Sequence, residues 1–164
     1  MASGDERADV PEGLNGTGLR IGVVRARWNV DLVDRLASGV RRGLEAMGVD
    51  DVVHVSVPGS FEIPLAAQAL VTRGGVDAVV CIGAVVRGET THYELVSENC
   101  ARGVAEVQLA TGVPVMFGLL TVEDREQALA RSQPDGGHNV GEEAAIGAVE
   151  MARLVAGVGE PVPG

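Results

Sequence analysis

Short β-branched runs that alternate with amphipathic stretches predict an α/β fold, a three-layer αβα sandwich with a four-stranded parallel sheet. Two other observations agree with it. The 164 residues suit one domain, and a 46% hydrophobic content supplies its core. Polar, chemistry-bearing segments follow successive strands, and right-handed crossovers would gather them on one rim of a parallel sheet.

Residues 1–13 are polar and acidic without periodicity and are expected to be a disordered tail. Residues 14–18 are turn-like, and L-R-I-G-V-V at 19–24 reads as the first strand. The R-A-R-W-N segment at 25–29 leads into a helix, with Asn29 or Asp31 available as its cap. Val33, Leu36, Val40, Leu44 and Met47 recur at helical spacing until Gly48 stops it. Val52–Val57 is the second strand, after which Ser60 can cap a helix, Glu62 suits its first turn and Pro64 is tolerated there. Asp77–Ile82 is the third strand, and the helix after it runs to about residue 110 with Val96, Cys100, Val104 and Val107 inward. Val113–Leu119 is the fourth strand. Thr121 with Asp124 resembles a capping box before a short helix ending near Arg131, and P-D-G-G-H-N precedes a last helix over 141–155. Residues 14–157 therefore form the predicted domain, and 158–164 a second disordered tail.

Aromatics make up only 2% of the chain, so each of the four such residues calls for a reason. A net charge of −10 argues against nonspecific nucleic-acid or anionic-membrane binding, so an anionic ligand must be captured locally. Every basic residue is arginine, which removes lysine Schiff-base chemistry and a P-loop lysine. Cys81 and Cys100 lack a pairing motif and read as reduced cytoplasmic thiols. His54 and His138 lack metal-ligand spacing, and neither a metal nor an organic cofactor is expected.

The stretch that organises the rest is G-A-V-V-R-G-E-T-T-H-Y at 83–93, between the third strand and its helix. Free N–H groups at that helix start suit a phosphate, with Thr90 and Thr91 as hydroxyl donors beside Arg87. His92 can move protons near neutral pH, though an ordinary helix-terminus histidine looks the same. Trp28 on the rim is either a residue packing its loop or a stacking surface for a flat heterocycle. Backbone groups of Ser60 to Glu62, beside Phe61, could hydrogen-bond a planar amide-bearing ring.

At these residues the sequence resembles the 6,7-dimethyl-8-ribityllumazine synthases. The matching pieces are G-T-G-L-R-I-G-V-V at 16–24, R-W-N at 27–29, V-P-G-S-F-E-I-P at 57–64, the 83–93 stretch, T-G-V-P-V-M-F-G at 111–118, E-Q-A-L-A-R at 126–131 and G-E-E-A-A at 141–145. The resemblance implies the flavodoxin-like form of the sandwich, with an N-terminal segment joining a neighbouring subunit's sheet. It implies condensation of 5-amino-6-(D-ribitylamino)uracil with 3,4-dihydroxy-2-butanone 4-phosphate. It gives Trp28 the aromatic position on the pyrimidine, Ser60, Phe61 and Glu62 the ribityl chain and ring, and Ala84, Val85 and Val86 the pyrimidine pocket. Glu89, Thr90 and Arg131 would take the phosphate, and His92 would transfer protons. Phe117 and Arg131 would reach the neighbour's site in a homopentamer, twelve of which can close a 60-subunit shell, with riboflavin synthase as an associated protein.

The chain departs from the family at Asn139-Val140-Gly141, where relatives carry Asn-Lys-Gly, and in the loop S-Q-P-D-G-G-H at 132–138. His138 or Arg131 would have to stand in for the missing lysine. A non-catalytic lumazine- or flavin-binding module, or a shell-forming scaffold, is the competing expectation, distinguished by binding or assembly without turnover.

Overall fold

Four strands, all parallel, form one sheet in the order β2-β1-β3-β4 in the computed structural model, which describes residues 10–159. The elements are β1 Arg20–Ala26, α1 Val30–Ala46, β2 Asp51–Val57, a 3-10 turn Ser60–Glu62, α2 Ile63–Arg73, β3 Ala78–Val86, α3 His92–Thr111, β4 Val115–Val122, α4 Arg125–Ala130 and α5 Val140–Gly157. The predicted αβα sandwich is thus present, with α1, α4 and α5 on one face and α2 and α3 on the other. The expected tails at 1–13 and 158–164 fall, at residues 1–9 and 160–164, outside the described residues.

Alternation along each strand divides the core in two. Ile21 and Val23 of β1, Ala78, Val80 and Ile82 of β3, and Leu120 of β4 pack under α1 and α5. Val24, Val79, Cys81, Val115 and Leu119 point the other way, under α2 and α3. The core is aliphatic because no aromatic side chain is buried in it. Both cysteines are free and buried, and burial raises both thiols, Cys100 to about 12, so neither is a ready nucleophile.

Glycines let α1 and α5 touch. A Cβ at Gly141 would stand 2.3 Å from the Leu36 carbonyl oxygen, and one at Gly43 would stand 2.9 Å from Ala145 Cβ. Among the described residues, no helix is long and apolar enough to cross a membrane.

Several element ends differ from the sequence reading. β3 runs four residues past Ile82, because its pairing with β4 continues from Gly83↔Leu119 to Val86↔Val122. Glycine at 83 reads as a break, but its site on a paired strand is one that only needs a missing side chain. β4 starts at Val115 and reaches Val122, with Pro114 contributing its carbonyl to the Val79 N–H at 2.9 Å. Ser60 does not cap α2: the Glu62 carboxylate instead folds back to accept from the Gly59 N–H at 3.0 Å. Asn29 stands at the start of α1 but donates elsewhere. The short helix is capped by Asp124, which accepts from the Gln127 N–H at 2.8 Å, while Thr121 stays in β4.

Candidate functional site

Three segments distant in sequence meet at the C-terminal rim of the sheet, each held by a contact that its residue type makes. The first is the turn after β1. Asn29 adopts a left-handed conformation, φ 58°, which asparagine tolerates better than most residues. Its side-chain amide then donates to the Ala84 carbonyl at 2.8 Å, tying the start of α1 to the end of β3. Trp28, just before it, is 74% exposed.

The second segment is the Ser60–Glu62 turn. Gly59 lies against the indole, since a Cβ there would stand 3.1 Å from Trp28 Cδ1 and 3.7 Å from Nε1. Ser60 is buried and Phe61 is 59% exposed, so the hydroxyl packs inward while the ring faces out beside Trp28's loop. Ser60 in turn packs on the third segment: a Cβ at Gly83 would stand 2.8 Å from its Oγ. The two glycines are what let the three segments close on one another. An open hollow of about 500 Å³ lies against Arg27, Trp28, Asn29, Val30, Asp31 and Pro58. A larger groove, about 630 Å³ between α1 and β2, holds none of the sequence-predicted site residues.

The third segment continues from Ala84, Val85 and Val86 on β3 into the exposed residues Glu89, Thr90 and Thr91. His92 opens α3, exposed, with its backbone N–H near Thr90 Oγ1 at 3.3 Å. Arg87 is arranged differently from the phosphate donor that its position suggests. Its guanidinium pairs with Glu94 and with Glu123, the latter at 2.7 Å, and lies 4.3 Å over the Tyr93 ring. That pairing holds the Glu94 carboxyl below the usual carboxylate range.

Phe117 and Arg131 are not brought to this cluster. Phe117 pairs with Cys81, four residues short of Val85 along β3, which at ~3.3 Å per residue is roughly 13 Å from the rim. Arg131 closes α4 and donates to the Gln127 carbonyl of its own helix at 3.0 Å. Val140, in the place of the lysine, opens α5 and donates its N–H to the Arg131 carbonyl at 3.0 Å. His138 contacts the Glu143 carboxylate at 3.1 Å, so an anion beside it would meet a negative charge. Among the described residues, no group of three or more His, Cys, Asp or Glu is arranged to hold a metal ion.

The sequence reading missed two residues that shape the site. Asn29 has a cap's residue type and position, but its side chain ties the start of α1 to β3 instead. Asn139 is completely buried and caps α5, accepting from the Gly141 and Glu142 N–H groups at 2.9 and 3.2 Å. The signal for it was the glutamate three residues on, the capping-box spacing.

Comparison with known proteins places these residues in company. Residues 18–156 match the family model described as 6,7-dimethyl-8-ribityllumazine synthase. The chain is 44% identical to a protein of that name from Kineococcus radiotolerans, over 98% of each chain. It is 50% identical to one of the same name from Thermococcus gammatolerans, over 89% of this chain and 94% of the relative.

Proposed function

This chain belongs to the 6,7-dimethyl-8-ribityllumazine synthase family, and from that membership we propose how its residues carry out the family's reaction. It is a transferase of riboflavin biosynthesis that condenses 5-amino-6-(D-ribitylamino)uracil with 3,4-dihydroxy-2-butanone 4-phosphate, releasing the lumazine, phosphate and water. The observation that carries the residue assignment is the closure of three separate segments on one rim, through Asn29 to Ala84, Trp28 to Gly59 and Ser60 to Gly83.

The exposed Trp28 indole offers a face for the pyrimidine, with Ala84, Val85 and Val86 along its edge. Ser60, Phe61 and Glu62 take the ribityl chain and ring. Glu89 and Thr90, at the start of α3, receive the phosphate through backbone N–H groups and a hydroxyl, where the helix dipole favours an anion. The uracil's amine attacks the ketone, phosphate leaves by elimination, and a second carbonyl closes the ring. Each step moves a proton, and His92 stands beside the phosphate segment to do so. Holding both substrates in one site contributes much of the rate, an effect that reaches ~7–11 kcal/mol in well-oriented reactions.

The active unit in this reading is a cyclic homopentamer in which Phe117 and Arg131 complete the neighbour's site. Phe117 supports it, being 38% exposed on the α2–α3 face, as do the exposed leucines Leu65, Leu95 and Leu109 of those helices. β2 pairs only with β1 among the described residues, which leaves an outer edge for a neighbour's N-terminal segment. Association with riboflavin synthase and a cytoplasmic location belong to the same reading, and particle mass would distinguish a pentamer from a 60-subunit shell.

The test is to mix the purified chain with both substrates and follow the lumazine's absorbance and fluorescence. Turnover above the uncatalysed background is expected, and His92→Ala should lower it by about 10²- to 10⁴-fold. Tight lumazine binding without turnover would overturn the reading. Gly83→Ala should also act on one substrate selectively. Its methyl group displaces Ser60, which raises KM for the uracil while KM for the phosphorylated butanone stays unchanged.

A further inference from the structure

Arg87 is the one cation in the 83–93 stretch, and its surroundings decide what it can do there. Its backbone N–H donates to the Val122 carbonyl at 2.9 Å, extending the β3–β4 ladder by one bond. Its Nε reaches the Glu123 carboxylate at 2.7 Å, its Nη1 pairs with Glu94, and its guanidinium covers the Tyr93 ring. One positive charge therefore faces two carboxylates. The local balance is negative, which opposes a phosphate at the guanidinium itself. Glu94 Oε2 is buried with no hydrogen-bond partner among the described residues, and Oε1 takes the Arg87 contact.

The same three contacts have a mechanical consequence. Glu123 belongs to the turn after β4, while Tyr93 and Glu94 belong to the first turn of α3. Both ends of the 88–92 segment, which carries Glu89, Thr90 and His92, are thereby fixed to a single planar group. We propose that Arg87 is a positioning residue that braces the 88–92 segment between β3, the β4–α4 turn and α3, rather than a ligand of the phosphate. The inference rests on the lumazine-forming reading and assigns that site its rigid support.

The brace and a direct phosphate contact predict opposite signs for Glu94→Gln and Glu123→Gln. If Arg87 braces the segment, Glu94→Gln and Arg87→Gln both let the phosphate-binding groups and His92 drift. Small misplacements of that kind cost about 10- to 100-fold in kcat. KM for the phosphorylated butanone rises with them, and KM for the uracil does not change. Arg87→Lys keeps the charge but loses the fork that spans two carboxylates, so it recovers little of the loss. Glu123→Gln, on an exposed turn, shows the same pattern in milder form and keeps a folded variant in the set. If the guanidinium instead bound phosphate, neutralising Glu94 or Glu123 would release it and lower KM for the phosphorylated substrate. That result, or a loss of stability with kcat unchanged well below the melting temperature, would overturn the proposal.

Amide hydrogen exchange across residues 88–93 separates this inference from the reading beneath it. Exchange there is expected to quicken in Arg87→Gln relative to the parent chain, whatever the turnover. A parent chain that makes no lumazine would defeat the synthase reading and leave the exchange comparison standing, and unchanged exchange would defeat the brace.

Discussion

Folding together equal amounts of His92→Ala and Arg131→Ala chains, each nearly inactive alone, should restore about a quarter of the parental rate. The expectation follows from where the chain puts these residues. His92 begins α3 at the rim where Trp28, Ser60 and Ala84 converge, whereas Arg131 ends α4 and is bonded to the Gln127 carbonyl behind it. The segment that follows Arg131 is held on the α1 side by Arg35, whose Nε donates to Ser132 Oγ at 3.1 Å. In a closed ring whose sites take His92 from one chain and Arg131 from the next, random mixing leaves both intact in about one site in four. Sites built within single chains would recover nothing, because every chain in the mixture lacks one group. A mixture as inactive as its components would therefore return Arg131 to its own chain's site or remove it from the chemistry. Phe117→Ala, placed in the same experiment with His92→Ala, asks the question again from β4.

What the sequence disclosed and what it hid follow one physical division, between contacts close in the chain and contacts made across the fold. Periodicity is local, so four strands and the amphipathic helices were legible, and crossover handedness was enough to bring Trp28, Ser60 and Ala84 to one rim. Strand ends were not, since β3 is extended past Gly83 by its partner β4 rather than by its own residues. Residue type alone misassigns a cap wherever tertiary structure claims the side chain. Asn29 had the right composition and position for a cap, but its amide is taken by the Ala84 carbonyl across the sheet. Arg87 is the sharpest case: beside two threonines it reads as an anion donor, and its carboxylate partners lie one turn into the next helix and beyond the next strand. No spacing rule would have joined them. The roles of Phe117 and Arg131 in a neighbour's site came only from family resemblance, because neither one-chain periodicity nor one-chain geometry carries them.

Asn139→Ala should produce a large loss of stability for a single polar substitution, about 2–4 kcal/mol, from a lost cap near 1 kcal/mol and two lost hydrogen bonds at roughly 0.5–1.5 kcal/mol each. The side chain is wholly buried and uses both ends of its amide. Nδ2 donates to the Arg35 carbonyl of α1 at 3.1 Å and to the Gln133 carbonyl at 3.0 Å, while Oδ1 accepts from the first N–H groups of α5. Gly39 has no side chain because a Cβ there would stand 2.1 Å from that Oδ1. Alanine at 139 takes one bond from each carbonyl and leaves a cavity, with the Arg35 oxygen keeping its own helix bond within α1 and the Gln133 oxygen the longer contact from Arg42 Nη2 at 3.4 Å. Asn139→Asp separates the two halves of the effect. It keeps the acceptor for α5, and a charge there suits a helix N-terminus, but it turns an oxygen toward two carbonyl oxygens in place of the donor. Denaturant titration should then show Asp destabilised nearly as much as Ala, and an Asp variant as stable as the parent would mean that the cap alone mattered. Arg131 shares this junction, since its carbonyl accepts from Val140 and Ser132 bridges to Asn139. Even where Asn139→Ala is still folded, KM for the phosphorylated butanone should rise, because the side chain that ties Gln133, two residues past Arg131, to the start of α5 is gone.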